Sequence, residues 1–147
     1  MNDTFHHIGV ACRDLDSEAR RFTALGYTQE GLDFTDPIQG VSGRFLIGGG
    51  PRLELLIPLS TEGCLAPWLK TGAKMYHLAY LVPDFDAEIV RLRGLGAKTV
   101  VAPVPAVAFG NRRITFLMLP NLMLVELIAL HLEPPVQKSH PSARETN

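Results

Sequence analysis

Residues 7–26 and 77–96 are two versions of one segment, and this duplication restricts the possible folds more than any other feature of the chain. At a constant offset of 70 residues and with no gap, the pairs His7/His77, Asp14/Asp84, Asp16/Asp86, Glu18/Glu88, Arg21/Arg91, Leu25/Leu95 and Gly26/Gly96 are identical. The correspondence continues with small slips. Gly43-Arg44-Phe45-Leu46 lies over Ile114-Thr115-Phe116-Leu117 at offset 71, and Leu53-Glu54-Leu55-Leu56 over Val125-Glu126-Leu127-Ile128 at offset 72. Short insertions in hairpin loops would produce such slips. A repeat of this length is a half-domain, too long for most solenoid units.

Each copy has the same outline. A short apolar run, Phe5 to Cys12 or Met75 to Val82, predicts a strand. Asp14 or Asp84 follows at an N-cap position, where its carboxylate can accept from a free amide of the first helical turn. Helical periodicity then runs over Leu15 to Ala24 and Phe85 to Gly94, and Gly26 and Gly96 supply the left-handed residue that ends a helix. Three more strands are expected per copy: 28–34, 41–47 and 52–58 in the first, 98–102, 112–118 and 123–130 in the second. The chain thus divides into a single domain over 1–132, with module one at 5–58, a linker at 59–73 carrying a short helix near Leu65 to Leu69, and module two at 74–130. The Pro- and Ser-rich residues 133–147 are expected to form a flexible tail.

The balance of 14 Lys+Arg against 15 Asp+Glu gives a net charge of −1, with no basic block, so neither nucleic acid nor an anionic membrane is an expected partner. No apolar run is long enough to span a bilayer. The first residues, Met1-Asn2-Asp3-Thr4, do not resemble a signal peptide. Cys12 and Cys64 form no framework of bridges, which points to a cytoplasmic protein with reduced thiols, although a Cys12–Cys64 bridge stays open.

Four residues carry the candidate chemistry. His7 and His77 lie in the first strand of each module, Glu54 and Glu126 in the last. Each glutamate is a lone carboxylate in an apolar strand, and burying one without a partner is costly. If first and last strands are neighbours, all four side chains converge on one face of the sheet. Two imidazoles and two carboxylates suit a divalent ion such as Zn, Ni, Co, Mn or Fe. The competing readings are a hydrogen-bonded core histidine and a glutamate paired with Arg44, Arg52 or Arg113. His6 is the fallback ligand if the register slips, while His131 and His140 are expected at the solvent.

The stretches His7-Ile8-Gly9-Val10-Ala11, Leu53-Glu54-Leu55-Leu56, Tyr76-His77-Leu78-Ala79, Gly110-Asn111-Arg112 and Leu124-Val125-Glu126-Leu127 resemble the vicinal oxygen chelate (glyoxalase / bleomycin resistance / dioxygenase) superfamily. Within it they are most similar to methylmalonyl-CoA epimerase-like members. The resemblance implies an α+β fold in which two tandem βαβββ modules form a curled mixed sheet around a metal cleft. It also implies His7, Glu54, His77 and Glu126 as ligands, Glu126 as a catalytic base, and a homodimer. Arg44, Asn111 and Arg112 are the candidate substrate-binding residues. The implied function is a metal-dependent lyase, isomerase or epimerase acting through an enolate or enediolate on a small carboxylic acid, thioester or hemithioacetal. Its rival is a metal-free, resistance-type binding protein that uses the same cleft, lined by Trp68 and an apolar loop from Val101 to Phe109. Some epimerases carry a glutamate in the third strand of the first module, where this chain reads Val41-Ser42-Gly43-Arg44-Phe45.

Overall fold

The computed structural model describes residues 3–133. The first module comprises β1 (Thr4–Ala11), α1 (Leu15–Thr23), β2 (Thr28–Asp36), β3 (Val41–Ile47) and β4 (Leu53–Pro58). After the short helix α2 (Ala66–Thr71), the second module repeats the order with β5 (Met75–Val82), α3 (Phe85–Gly94), β6 (Lys98–Ala106), β7 (Arg112–Met118) and β8 (Leu124–Ala129). Both long helices start as expected, with Asp14 accepting from Ser17 N at 2.7 Å and Asp84 from Ala87 N at 3.2 Å. They end with Gly26 and Gly96 at φ of 87° and 95°, where a side chain would be strained.

Among the described residues, eight strands form one mixed sheet in the order β2-β3-β4-β1-β5-β8-β7-β6. Within each module the first strand runs parallel to the last, β1 to β4 and β5 to β8. The modules join through the antiparallel pair β1–β5. Helices α1 and α3 cover the outer face, packing Leu15 and Phe22 on Leu53 and Leu55, and Phe85 and Leu92 on Val125 and Leu127. Fully burying a leucine such as Leu55 stabilises the fold by roughly 1.5–3 kcal/mol. The sheet curls until its two ends meet. The buried carboxylate of Asp36, at the end of β2, accepts from the backbone N–H of Val107 just past β6 at 3.1 Å, and from Ile38 N, Gln39 N and Gln39 Nε2.

Sequence and structure part most clearly along β6. The apolar loop expected from Val101 is strand through Ala106, followed by a 3-10 turn at Val107–Phe109. Pro103 and Pro105 lack the amide a central strand would need, but β6 is an edge strand, where that loss costs little. Both cysteines are free thiols, with Cys12 buried and Cys64 exposed. The expected tail at 133–147 lies outside the described residues except for Glu133, which pairs with Arg113 at 2.7 Å. His131 is exposed, and His140 is outside the described residues. Among the described residues no helix is long and apolar enough to cross a membrane.

Candidate metal centre

Strand pairing sets the geometry of the concave face. Gly9 of β1 is the partner of both Glu54 on β4 and His77 on β5, and Ala79 of β5 is the partner of Glu126 on β8. Side chains opposite one another on neighbouring strands share a face, and those two apart along a strand share it too. His7, Glu54, His77 and Glu126 are therefore brought to one place. Each offers an atom within 4.8 Å of all the others, and all four are buried. Gly9 makes room for them: a Cβ there would stand 2.2 Å from His77 Cε1.

The spacing fits a single central cation. His7 Nε2 lies 3.0 Å from Glu54 Oε2, 3.4 Å from Glu126 Oε2 and 2.9 Å from His77 Nε2, and His77 Nε2 lies 3.4 and 3.2 Å from the same two carboxylate oxygens. Donors about 2.0–2.2 Å from a common ion have edges of roughly 2.9–3.5 Å between neighbours, by simple geometry on ordinary bond lengths. Protons alone satisfy the cluster poorly. If both imidazoles were protonated, two N–H groups of like charge would face each other at 2.9 Å. Glu126 Oε2 also has no hydrogen-bond partner, an unusual state for a buried carboxylate oxygen. One divalent ion would neutralise both carboxylates and give both Nε2 lone pairs a common acceptor.

The proton affinities follow from the same crowding. Burial pulls the His7 imidazole down, but the nearby charges of Glu54 and Glu126 outweigh it and lift its pKa to about 9. His77 is likewise raised, its burial outweighed by the same two carboxylates. Burial pushes Glu54 up, and the His7 charge overrides it, so its carboxyl is held below the usual range. His6, half-buried and beside His7, is pushed down to about 4, chiefly by burial and then by the His7 charge.

The wall around the four donors is aromatic. The Phe109 ring stacks on His7 at 5.8 Å and 21°, Phe45 meets His7 edge-on at 5.6 Å, and Phe116 meets His77 edge-on at 5.1 Å. Trp68 packs edge-on against Tyr76 at 4.8 Å and borders a cavity of about 150 Å³ that His77 also lines.

The candidate substrate-binding residues do not gather as expected. Phe45 pairs with Glu54 and takes the cleft face, so its neighbour Arg44 must take the other. There Arg44 pairs bidentately with Asp33 at 2.7 and 2.8 Å and reaches Asp16 of α1 at 2.9 Å, which corrects its assignment to the cleft. Arg52 and Arg113 also pair elsewhere, with Glu30 and Asp86, so neither neutralises Glu54 or Glu126. Arg112 alternates with the outward-facing Arg113 and so shares the cleft side with Ile114 and Phe116, at the strand's first residue. Asn111 is exposed in the preceding turn, with φ of 64°. His6 reaches the site without joining the donors: its Nδ1 lies 2.7 Å from His7 Nδ1. Asp36, which draws the ends of the sheet together, lies beyond the strand expected at 28–34.

Comparison with known proteins points the same way. Residues 6–116 match the model of a family described as the glyoxalase/bleomycin resistance protein/dioxygenase superfamily. An ethylmalonyl-CoA/methylmalonyl-CoA epimerase of Cereibacter sphaeroides is 25% identical over 119 residues, which is 80% of this chain and 89% of that protein. A methylmalonyl-CoA epimerase variant of Streptomyces coelicolor, solved in complex with 2-nitronate-propionyl-CoA, superposes with a TM-score of 0.73 at 28% identity, covering 87% of this chain and 97% of its own. The methylmalonyl-CoA epimerase of Mycobacterium tuberculosis gives 0.73 at 27% identity, covering 87% and 88%.

Proposed function

The chain belongs to the glyoxalase/bleomycin resistance protein/dioxygenase superfamily, and on that premise we propose that it is a metal-dependent isomerase of the epimerase kind, working through an enolate on a small acyl thioester. The observation that carries the reading is the convergence of two imidazoles and two carboxylates, one of each from each module, at spacings suited to a single ion. In this reading His7, Glu54, His77 and Glu126 hold the ion. When bound, a divalent cation supplies positive charge that polarises a carbonyl and lowers the cost of removing the neighbouring proton.

The chain's own groups supply the rest. Glu126, buried among the donors, is in this reading also the carboxylate that accepts a proton from the substrate's α-carbon. Phe45, Phe109 and Phe116 keep water from the donors, which strengthens every charge interaction inside. An apolar wall with so few polar groups fits a short alkyl branch beside the reacting carbon. Arg112, on the cleft side at the start of β7, is the cation available to an anionic substrate group.

The test is elemental analysis of protein purified without chelator, alongside His7→Ala and Glu126→Gln, and solvent deuterium uptake at the α-carbon of methylmalonyl-type thioesters. Near-stoichiometric metal in the parent protein, its loss in His7→Ala and slowed deuterium uptake in Glu126→Gln are expected. Equal trace metal in all three proteins would end the metal reading. Unchanged ligand affinity after exhaustive chelation would instead favour a resistance-type binding protein.

A further inference from the structure

The central strand pair carries two matching irregularities. The β1–β5 register passes over His6 between Phe5↔Tyr80 and His7↔Ala79, and over Tyr76 between Gly9↔His77 and Val10↔Met75. Residues 6 and 76 are the same position in the two modules. A bulge lets consecutive side chains turn to one face and re-aims them, often beside a functional site. Here it sets a second ring edge-on against each site imidazole, His6 against His7 at 5.0 Å and Tyr76 against His77 at 4.8 Å. At this point the modules diverge. His6 Nδ1 is 2.7 Å from His7 Nδ1, whereas the buried Nδ1 of His77 has no hydrogen-bond partner.

We propose that His6 is a positioning residue: its Nδ1 accepts the hydrogen of His7 Nδ1 and so holds the His7 ring with Nε2 bare and turned toward Glu54 and Glu126. Two ring nitrogens 2.7 Å apart need one donor and one acceptor. His7 Nε2 faces the two carboxylates and His77, and as a ligand it must offer a lone pair. The hydrogen of a neutral His7 then sits on Nδ1, which leaves His6 as acceptor, with its own hydrogen on Nε2. Two aromatic neighbours fix the His6 ring, Phe45 at 6.2 Å and Phe109 at 5.6 Å, both edge-on. Outer partners of a ligating histidine usually are carboxylates, carbonyls or water, and losing one typically weakens metal affinity about 10–100-fold. In this chain a second imidazole takes that part, on one side of the site only.

The inference rests on the metal reading above, and the experiment separates the two. Zinc affinity is measured by chelator competition for the parent protein, His6→Phe and His6→Asn, and the nitrogen-15 pattern of the His6 ring is recorded in the parent protein. Phenylalanine keeps the ring packing without an acceptor, while asparagine restores an acceptor. The expected result is a loss of about 10–100-fold in His6→Phe, recovery to within a few-fold in His6→Asn, and a bare Nδ1 on His6. Affinity in His6→Phe within two-fold of the parent, or a protonated Nδ1 on His6, overturns the proposal. If the parent protein binds neither zinc nor another divalent ion, the metal reading fails, and the nitrogen-15 pattern alone decides the His6–His7 bond.

Discussion

Replacing Gly9 by alanine tests the packing on which the candidate metal centre depends. The added methyl would lie 2.2 Å from Cε1, 2.3 Å from Nδ1 and 2.7 Å from Nε2 of His77, against ordinary contacts beyond 3.4 Å, so the ring must retreat by about an ångström or the seam must open. Retreat is hindered, because His77 is 2% exposed and is flanked by the Tyr76 and Phe116 rings. Overpacking of this kind costs roughly 1–3 kcal/mol. Gly9 does not have a positive φ, so alanine brings no backbone strain and recovers about 0.4–1 kcal/mol by restricting the unfolded chain. The net expectation is a loss of about 1–2 kcal/mol, or roughly 2–8 °C in Tm for a chain of this length. The effect on zinc affinity should be larger, at least about ten-fold, because an imidazole displaced by an ångström no longer meets the other three donors. Gly94, in α3, is the control. A methyl there meets nothing within 4 Å, so Gly94→Ala should stabilise the protein by about 0.5–1 kcal/mol. Differential scanning fluorimetry with and without chelator, together with zinc competition, reads both variants. If Gly9→Ala kept the parent's Tm and zinc affinity, the placement of His77 against β1 would be refuted.

The pH response of the chelated protein has a definite sign. His7 has an ordinary pKa of 6.5 and a folded value near 9, so its stabilising contribution is complete below 6.5 and is lost as pH rises through about 9. Melting temperature should fall over that window without metal and hold nearly level with zinc; a flat chelated profile would count against the cluster. Arg44→Met should leave zinc and thioester affinity unchanged while lowering stability by about 1 kcal/mol, since its aspartate partners are largely exposed and screened. A selective loss of thioester affinity would contradict its place on the helix side. Asp36→Ala removes an acceptor serving three backbone or side-chain donors nearby and Val107 across the cleft, at a cost of about 2–3 kcal/mol by urea titration. An unaltered unfolding midpoint would show that the ends of the sheet do not depend on it.

What the residues alone revealed, and what they hid, has a physical pattern. The four converging side chains were readable because duplication displays one histidine and one glutamate twice at equivalent places, and strand alternation then fixes their face. The face of Arg44 is not written in its own stretch of sequence, because it depends on which residue of β3 opposes Glu54; that residue is Phe45, and the parity is set by hairpin length. The extent of β6 was obscured by Pro103 and Pro105, whose cost depends on whether a strand is central or at an edge, a property of the assembled sheet. The bulges at His6 and Tyr76 leave no mark in local composition, and Asp36 owes its role to Val107, far along the chain.

The near-twofold relation of the modules has a stereochemical consequence. An axis that exchanges His7 with His77 and Glu54 with Glu126 presents matching charge to both sides of a flat group lying on it. Inverting a carbon requires such even-handedness, since the departing hydrogen and the returning one travel from opposite directions. For the proposed isomerase, any preference for one enantiomer has to arise where the halves disagree on the concave side, as at His6 opposite Tyr76, Val41 opposite Arg112 and Gly43 opposite Ile114.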